Sequence, residues 1–160
     1  TLGTIHSEIQ RQIEQIIGKH YVHKKAIEFT KAEVLFIDAV LEKKLEASIL
    51  YWTLVRHPVP AALVAYGLFK NMKRKEKVDA TSLKENMNTY KKLSIEAVNS
   101  SYVKNSTGTF NMLLETVEEW GNASCVQIAL ATNNKEFLSE QPLVDLQGRI
   151  WRAQVNKSHS

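Results

Sequence analysis

The chain predicts an all-α fold, arranged as stacked helical hairpins or a short helical solenoid. Three observations carry that expectation. Glycine and proline number only 6 and 3 among 160 residues, and these are the residues that break helices or make the turns of sheet proteins. Apolar residues recur at three- and four-residue spacing along most of the chain. The strings Thr30-Lys31-Ala32-Glu33 and Ser82-Leu83-Lys84-Glu85 have capping-box spacing, in which a hydroxyl and a carboxylate reciprocally satisfy backbone donors at a helix start. At this length a composition that is 44% hydrophobic suffices for one buried core without metal or disulfide.

Taken in order, Ile5, Ile9, Ile13, Ile16 and Ile17 form an apolar stripe that breaks near Gly18, which predicts an N-terminal amphipathic arm. A helix starts at the Thr30 box and carries Val34, Leu35, Ile37, Ala39, Val40 and Leu41 inward, with Lys43 and Lys44 near its end. Leu45, Ile49, Leu50, Trp52, Leu54 and Val55 build the next. Pro58 stops it, because the residue before a proline is pushed out of the helical region, and Pro60 suits the first turn of a third helix. In that third helix Ala62, Ala65 and Gly67 are positions where a neighbour can approach closely.

The stretch from Lys70 to Ala80 is charged and aperiodic and predicts the main internal break, with a long amphipathic helix starting at the Ser82 box. Residues 99–109, rich in Ser, Thr and Asn, predict a connector. Phe110, Leu113, Leu114, Val117 and Trp120 then restore helical spacing, with Glu115, Glu118 and Glu119 on a solvated polar face. Gly121-Asn122 ends that helix. Val126, Ile128, Ala129 and Leu130 pack the next, Asn133-Asn134-Lys135-Glu136 caps another, and Leu143, Val144, Leu146, Ile150 and Trp151 form a terminal helix. Residues 39–46 and 129–136 share a faint pattern, a short polar turn between apolar segments, as stacked hairpins would.

The formal charge is +4, and the excess is concentrated at Lys70, Lys73, Arg74, Lys75 and Lys77. Such a run is most simply a solvated helix end. Its other reading is contact with anionic lipid through Lys73, Arg74 and Lys75, and nucleic acid is not expected. No apolar run reaches the roughly 18 residues of a membrane span.

Chemistry finds little footing. The lone Cys125 allows no disulfide within these residues and is expected to be a packed side chain. His6, His20, His23, His57 and His159 make no compact metal framework, Glu115, Glu118 and Glu119 lack an inferable partner carboxylate, and the glycines are too dispersed to cradle phosphate. No catalytic, cofactor-binding or metal-ligating residue is assigned. Trp52, Trp120 and Trp151 are expected to anchor the core. Truncating Trp52 or Trp120 to alanine should then cost about 3–5 kcal/mol.

Val34-Leu35-Phe36-Ile37-Asp38-Ala39-Val40-Leu41, then Leu50-Tyr51-Trp52 and Ala61-Ala62-Leu63-Val64-Ala65, resemble the cytosolic melastatin homology region of TRPM ion channels. Leu113-Leu114 leading to Trp120-Gly121-Asn122-Ala123-Ser124-Cys125-Val126-Gln127-Ile128-Ala129, and then Lys135-Glu136-Phe137-Leu138, resemble the later helical segment of that region. The likeness spans about residues 33–153. Asp38 stands where the family commonly has an aromatic residue, and Gln147-Gly148-Arg149-Ile150-Trp151 departs from the family's arrangement before its membrane domain. The resemblance implies a noncatalytic scaffold in the cytoplasmic part of a cation channel. Such a scaffold would support tetrameric assembly and couple cytosolic rearrangement to the pore, its partners being other regions or subunits of the same channel. An independent helical adaptor is the alternative. The expected layout is an arm over 1–30, the scaffold domain over 31–156 and a disordered tail over 157–160.

Overall fold

In a computed structural model the described residues are 11–12, 15–16 and 30–158. The expected arm lies outside them, apart from residues 11–12 and 15–16, which are helical. Over residues 30–158 the chain forms eight α-helices and one 3-10 turn: α1 Lys31–Leu41, α2 Leu45–Trp52, α3 Pro58–Lys75, α4 Ala80–Lys104, α5 Ser106–Leu114, the 3-10 turn Glu118–Trp120, α6 Cys125–Ala131, α7 Lys135–Leu138 and α8 Gln141–Ser158. The fold is an all-α stack of helical pairs.

The faint internal pattern has a structural basis. α1 and α6 end in the same turn: Lys44 N–H donates to Ala39 O and Asn134 N–H to Ala129 O, each at 2.9 Å. Lys43 and Asn133 hold the equivalent left-handed positions at φ 63° and 53°. This wide return bond satisfies carbonyls a helix end leaves open, and it lets α1–α2 and α6–α7 fold back as hairpins.

α3 is the centre of the stack. Each residue from Val59 to Phe69 is buried, the pattern of a helix covered on all sides. Gly67 permits one of these approaches, since a Cβ there would stand 2.5 Å from Thr132 Cγ2 of the α6 end. An aromatic cluster joins the pairs: Phe36 of α1 meets Tyr90 of α4 edge-on at 5.9 Å and Trp120 at 6.5 Å, while Phe69 of α3 stacks on Tyr90 at 5.9 Å. The Tyr90 hydroxyl donates to Ser48 Oγ at 2.7 Å, so the one polar atom of that ring is satisfied inside the core. Burial pushes this phenol up to about 12.

Several boundaries depart from the sequence expectation. α4 begins at Ala80 after a left-handed Asp79, φ 64°, so Ser82 and Glu85 lie within its first turns and form no capping box. The expected connector over 99–109 is almost wholly helical. α4 runs to Lys104, and Asn105 alone separates it from α5, accepting from Gly108 N–H at 2.9 Å. Ser101 and Thr109, read as helix competitors, instead share a hydrogen bond across this junction at 2.7 Å, and Tyr102 and Phe110 pack at 5.6 Å. α5 stops at Leu114 and does not continue to Trp120. The cause is Val117, whose N–H donates to Ala123 O at 3.0 Å in an isolated bridge, followed by the 3-10 turn that drives Trp120 to 1% exposure. Gly121, φ 75°, and Asn122, φ 56°, then reverse the chain through two left-handed residues. Ser124 and Gln127 form a capping box at the start of α6 that was not read from the sequence. At the far end, Lys157 and Ser158, expected in a disordered tail, complete the last turn of α8. Trp151 on that helix is 64% exposed and anchors no core.

Candidate interaction surfaces

The first surface forms around two buried carboxylates. Glu33, at 1% exposure, is fixed by the helix start it caps. Its Oε2 accepts from Thr30 N–H at 2.8 Å and from the Thr30 hydroxyl. Its Oε1 accepts from Arg56 Nε at 3.2 Å and Nη2 at 2.8 Å. Glu119, at 4% exposure, is carried inward by the 3-10 turn. Its Oε1 meets His57 Nδ1 at 2.5 Å, and its Oε2 lies 3.9 Å from Arg56 Nη2. A buried carboxylate is tolerated only where hydrogen bonds and opposite charge replace water. The α2–α3 loop supplies both, so the cluster braces the start of α1, that loop and the 3-10 turn together.

Glu119 is therefore not part of a solvated helical face, as its spacing suggested. Glu115 and Glu118 are solvent-exposed, but on an extended segment and a 3-10 turn rather than on one helix. These two exposed carboxylates rim a cleft of about 520 Å³ beside the brace. Its lining includes Pro58, Val59, Pro60, Ala97 and Met112. Nothing in the local sequence marked this convergence. The nearest signal was a charged pair, Arg56-His57, held between an apolar helix and two prolines.

The second surface is the basic end of α3. Lys73, Arg74 and Lys75 form its last turn. Arg74 Nη2 donates to Asn71 Oδ1 at 2.8 Å and Lys75 Nζ to Gln15 Oε1 at 2.9 Å. Lys70 separates from this group. Its ammonium donates to Thr132 O at 2.7 Å and sits 5.6 Å from the Tyr66 ring, capping the carbonyl end of α6. Burial first, and Lys135 second, lower its pKa from 10.5. Beyond the helix Val78 is 76% exposed next to Lys77.

The third is an apolar groove of about 350 Å³, lined chiefly by Leu114 of α5, Leu130 of α6, Leu138 of α7 and Leu143, Leu146 and Ile150 of α8. Leu114, Leu130 and Ile150 stand open to solvent along it.

The reactive side chains do not converge. Cys125 is buried with Sγ 3.7 Å from Met112 Sδ, and burial pushes its thiol up to about 12, away from the thiolate that nucleophilic chemistry needs. Among the described residues no three His, Cys, Asp or Glu side chains come together as a metal site. Of the histidines, His57 is described, and it belongs to the brace; His6, His20, His23 and His159 lie outside. Among the described residues no helix is long and apolar enough to cross a membrane.

The sequence also matches known proteins. A transient receptor potential channel of Caenorhabditis elegans is 26% identical over 133 residues, covering 79% of this chain and 6% of that protein. The human transient receptor potential cation channel subfamily M member 7 is 22% identical over 153 residues, covering 92% and 8%. Human subfamily M member 5 is 24% identical over 117 residues, covering 73% and 10%. The chain thus spans at most 10% of the length of these three relatives. The family model described as the TRPM2-like domain matches residues 2–140, and with most of the chain matched, the protein belongs to the TRPM2-like domain family, as a segment akin to those of TRPM cation channels.

Proposed function

We propose that this segment is a noncatalytic helical scaffold in the cytoplasmic part of a TRPM-like cation channel, holding other regions of the channel in place and passing their rearrangements toward the pore. The observation that carries the reading is the apolar groove between α5 and α8. Soluble domains seldom leave a continuous leucine-lined groove open, and where they do it is a contact surface. An amphipathic helix from another part of the same channel, presenting apolar residues at three- and four-residue spacing, is the chemistry that fits it. The brace serves the same role from the opposite direction: it ties three elements distant in sequence, so a push on one is transmitted to the others as rigid-body motion rather than absorbed in a loop.

The test is co-purification of the chain with the remaining cytosolic pieces of a matching channel subunit. Wild type should join a specific tetrameric assembly, and Leu130→Glu with Ile150→Glu should remain outside it while retaining the helical circular dichroism of wild type. Equal recovery of the variant in the assembly would refute the groove as the contact.

A further inference from the structure

We propose that the segment also contacts a second copy of itself head to tail, the basic turn at the C-terminal end of α3 in one copy seating in the acidic cleft at the N-terminal end of α3 in the next. This rests on the assembly reading above and assigns it a second pair of surfaces.

The geometry begins with α3 itself. Its 18 residues give a length of about 27 Å at the α-helical rise. The cleft sits at one end, where Pro58, Val59 and Pro60 line it. The basic turn, Lys73, Arg74 and Lys75, sits at the other. A copy cannot fill its own cleft, so any such contact is between copies. It is also heterologous: each molecule keeps one unused donor end and one unused acceptor end, the arrangement that closes into a ring when the rotation permits.

Charge and shape agree at the two ends. The chain as a whole is +4, yet among the described residues the cleft is lined by three carboxylates, Glu115, Glu118 and Glu119, against Arg56 and His57, and Arg56 also pairs with Glu33 behind it. The two buried carboxylates use that guanidinium and imidazole. Glu115 and Glu118 form no ion pair among the described residues and are left for a cation from outside. At the other end Glu76 leaves the helical region at φ −103°, ψ 125° and is taken up by Lys43. Lys73, Arg74, Lys75 and Lys77 outnumber Glu76 and Asp79 along this end, where Val78 stands exposed between Lys77 and Asp79. Val78, just beyond the basic turn, is complementary to a cleft lined by prolines and Met112 and edged by Glu115 and Glu118: Val78 enters the cleft, and Lys75 and Lys77 meet Glu115 and Glu118.

The experiment is sedimentation of the 160-residue chain over a concentration series. Weight-average mass should rise with concentration, and less so when salt is raised from about 50 to about 500 mM, as screening of rim charges requires. Glu115→Lys with Glu118→Lys, and separately Lys75→Glu with Lys77→Glu, should each weaken association by about tenfold or more. Mixing the two reversed proteins should restore it, because each then offers the other a matched pair. In a Cys125→Ser background, Val78→Cys and Thr116→Cys chains should form a disulfide between copies when mixed. If a reversed variant does not fold by circular dichroism, Glu118→Gln and Lys77→Gln replace it with the same expected direction.

A chain that stays monomeric throughout overturns the head-to-tail contact. Association that neither reversal weakens overturns it too. So does a result in which Lys75→Glu with Lys77→Glu abolishes binding to phosphatidylserine-containing vesicles but leaves self-association intact, since the basic turn then serves a membrane. In each case the scaffold reading is judged separately, by whether the folded chain still joins the other cytosolic pieces.

Discussion

Replacing Arg56 with methionine is the sharpest probe of the brace, because it removes a charge while keeping most of the stem volume. The guanidinium gives Glu33 Oε1 two donors, at 3.2 and 2.8 Å, and lies 3.9 Å from Glu119 Oε2. Without it Glu33, which is 1% exposed, keeps among the described residues its contacts to Thr30, and Glu119 keeps His57. Stranding a buried carboxylate in this way costs about 3–5 kcal/mol. Arg56 itself is 46% exposed, so water can partly replace it and the lower figure, about 3 kcal/mol, is the expectation. In urea, with a slope of about 2 kcal/mol/M, that is a fall of about 1.5 M in the unfolding midpoint. Glu33→Met should also destabilise, through loss of the cap and of the ion pair, but Arg56 can then turn to solvent. The double variant should recover about 2 kcal/mol relative to the sum of the singles, the signature of directly coupled groups. A midpoint shift below about 0.3 M for Arg56→Met, or strict additivity in the cycle, would show that water already solvates the cluster and that it braces nothing.

Three further outcomes follow from the packing. Gly67→Ala would place a Cβ 2.5 Å from Thr132 Cγ2, a stiff branched side chain held to Ile128 O at 2.8 Å; a loss of about 1–3 kcal/mol in thermal unfolding is expected, and an unchanged melting temperature would mean that α3 and α6 do not approach so closely. Trp120→Ala should lose about 3–5 kcal/mol, whereas Trp52, partly exposed with its indole N–H on Pro58 O at 2.7 Å, should lose less than the sequence suggested, about 2 kcal/mol; equal losses in denaturant would contradict the different burial of the two rings. The Tyr102 hydroxyl, then Gln141, hold the Asp145 carboxyl below its ordinary 3.8; a depressed carboxylate adds stability above its unfolded pKa and gives it up as pH falls through the folded one. The advantage of wild type over Asp145→Asn should therefore be full near neutrality and shrink below about pH 4, and a gap that stays constant into strong acid would refute the pairing.

Local signals in the sequence were reliable where a few adjacent residues decide the backbone. Thr30 and Glu33 form the expected box, Pro60 lies in the first turn of α3, which itself begins two residues earlier at Pro58, and Asn134 caps α7. The signals failed where a distant contact overrides local preference. Residues 99–109 read as a connector because Ser and Thr compete with the helix, yet Ser101 and Thr109 use their hydroxyls on each other across the α4–α5 junction. Glu119 read as solvated because its spacing from Glu115 suits a helix; a bridge from Val117 to Ala123 removes that helix. The brace was illegible for the same reason. Arg56 lies 23 positions from Glu33, and His57 lies 62 from Glu119, and no local pattern relates residues so far apart. The groove was half legible. Its α8 stripe was apparent, but the absence of a cover is a property of the stack rather than of any one helix.

The charges at the two ends of α3 have a simpler role that the association experiment must separate from contact between copies. A helix carries partial positive charge at its N-terminus and negative at its C-terminus, and suitable side chains at each end contribute about 0.3–1 kcal/mol. Glu119 near the first turn and Lys73, Arg74 and Lys75 in the last have the signs that arrangement favours. The two roles diverge in their dependence on distance and concentration. Dipole compensation falls off within a turn and acts inside one molecule, so reversing Lys77, two residues beyond the end of α3, should hardly move the melting temperature. The proposed contact instead places Lys77 at a partner's rim, so the same change should weaken association strongly and do so more at low salt. A Lys77→Glu variant that both melts and associates as wild type would assign these charges to the helix alone. One that melts as wild type but no longer associates would assign them to the neighbouring copy.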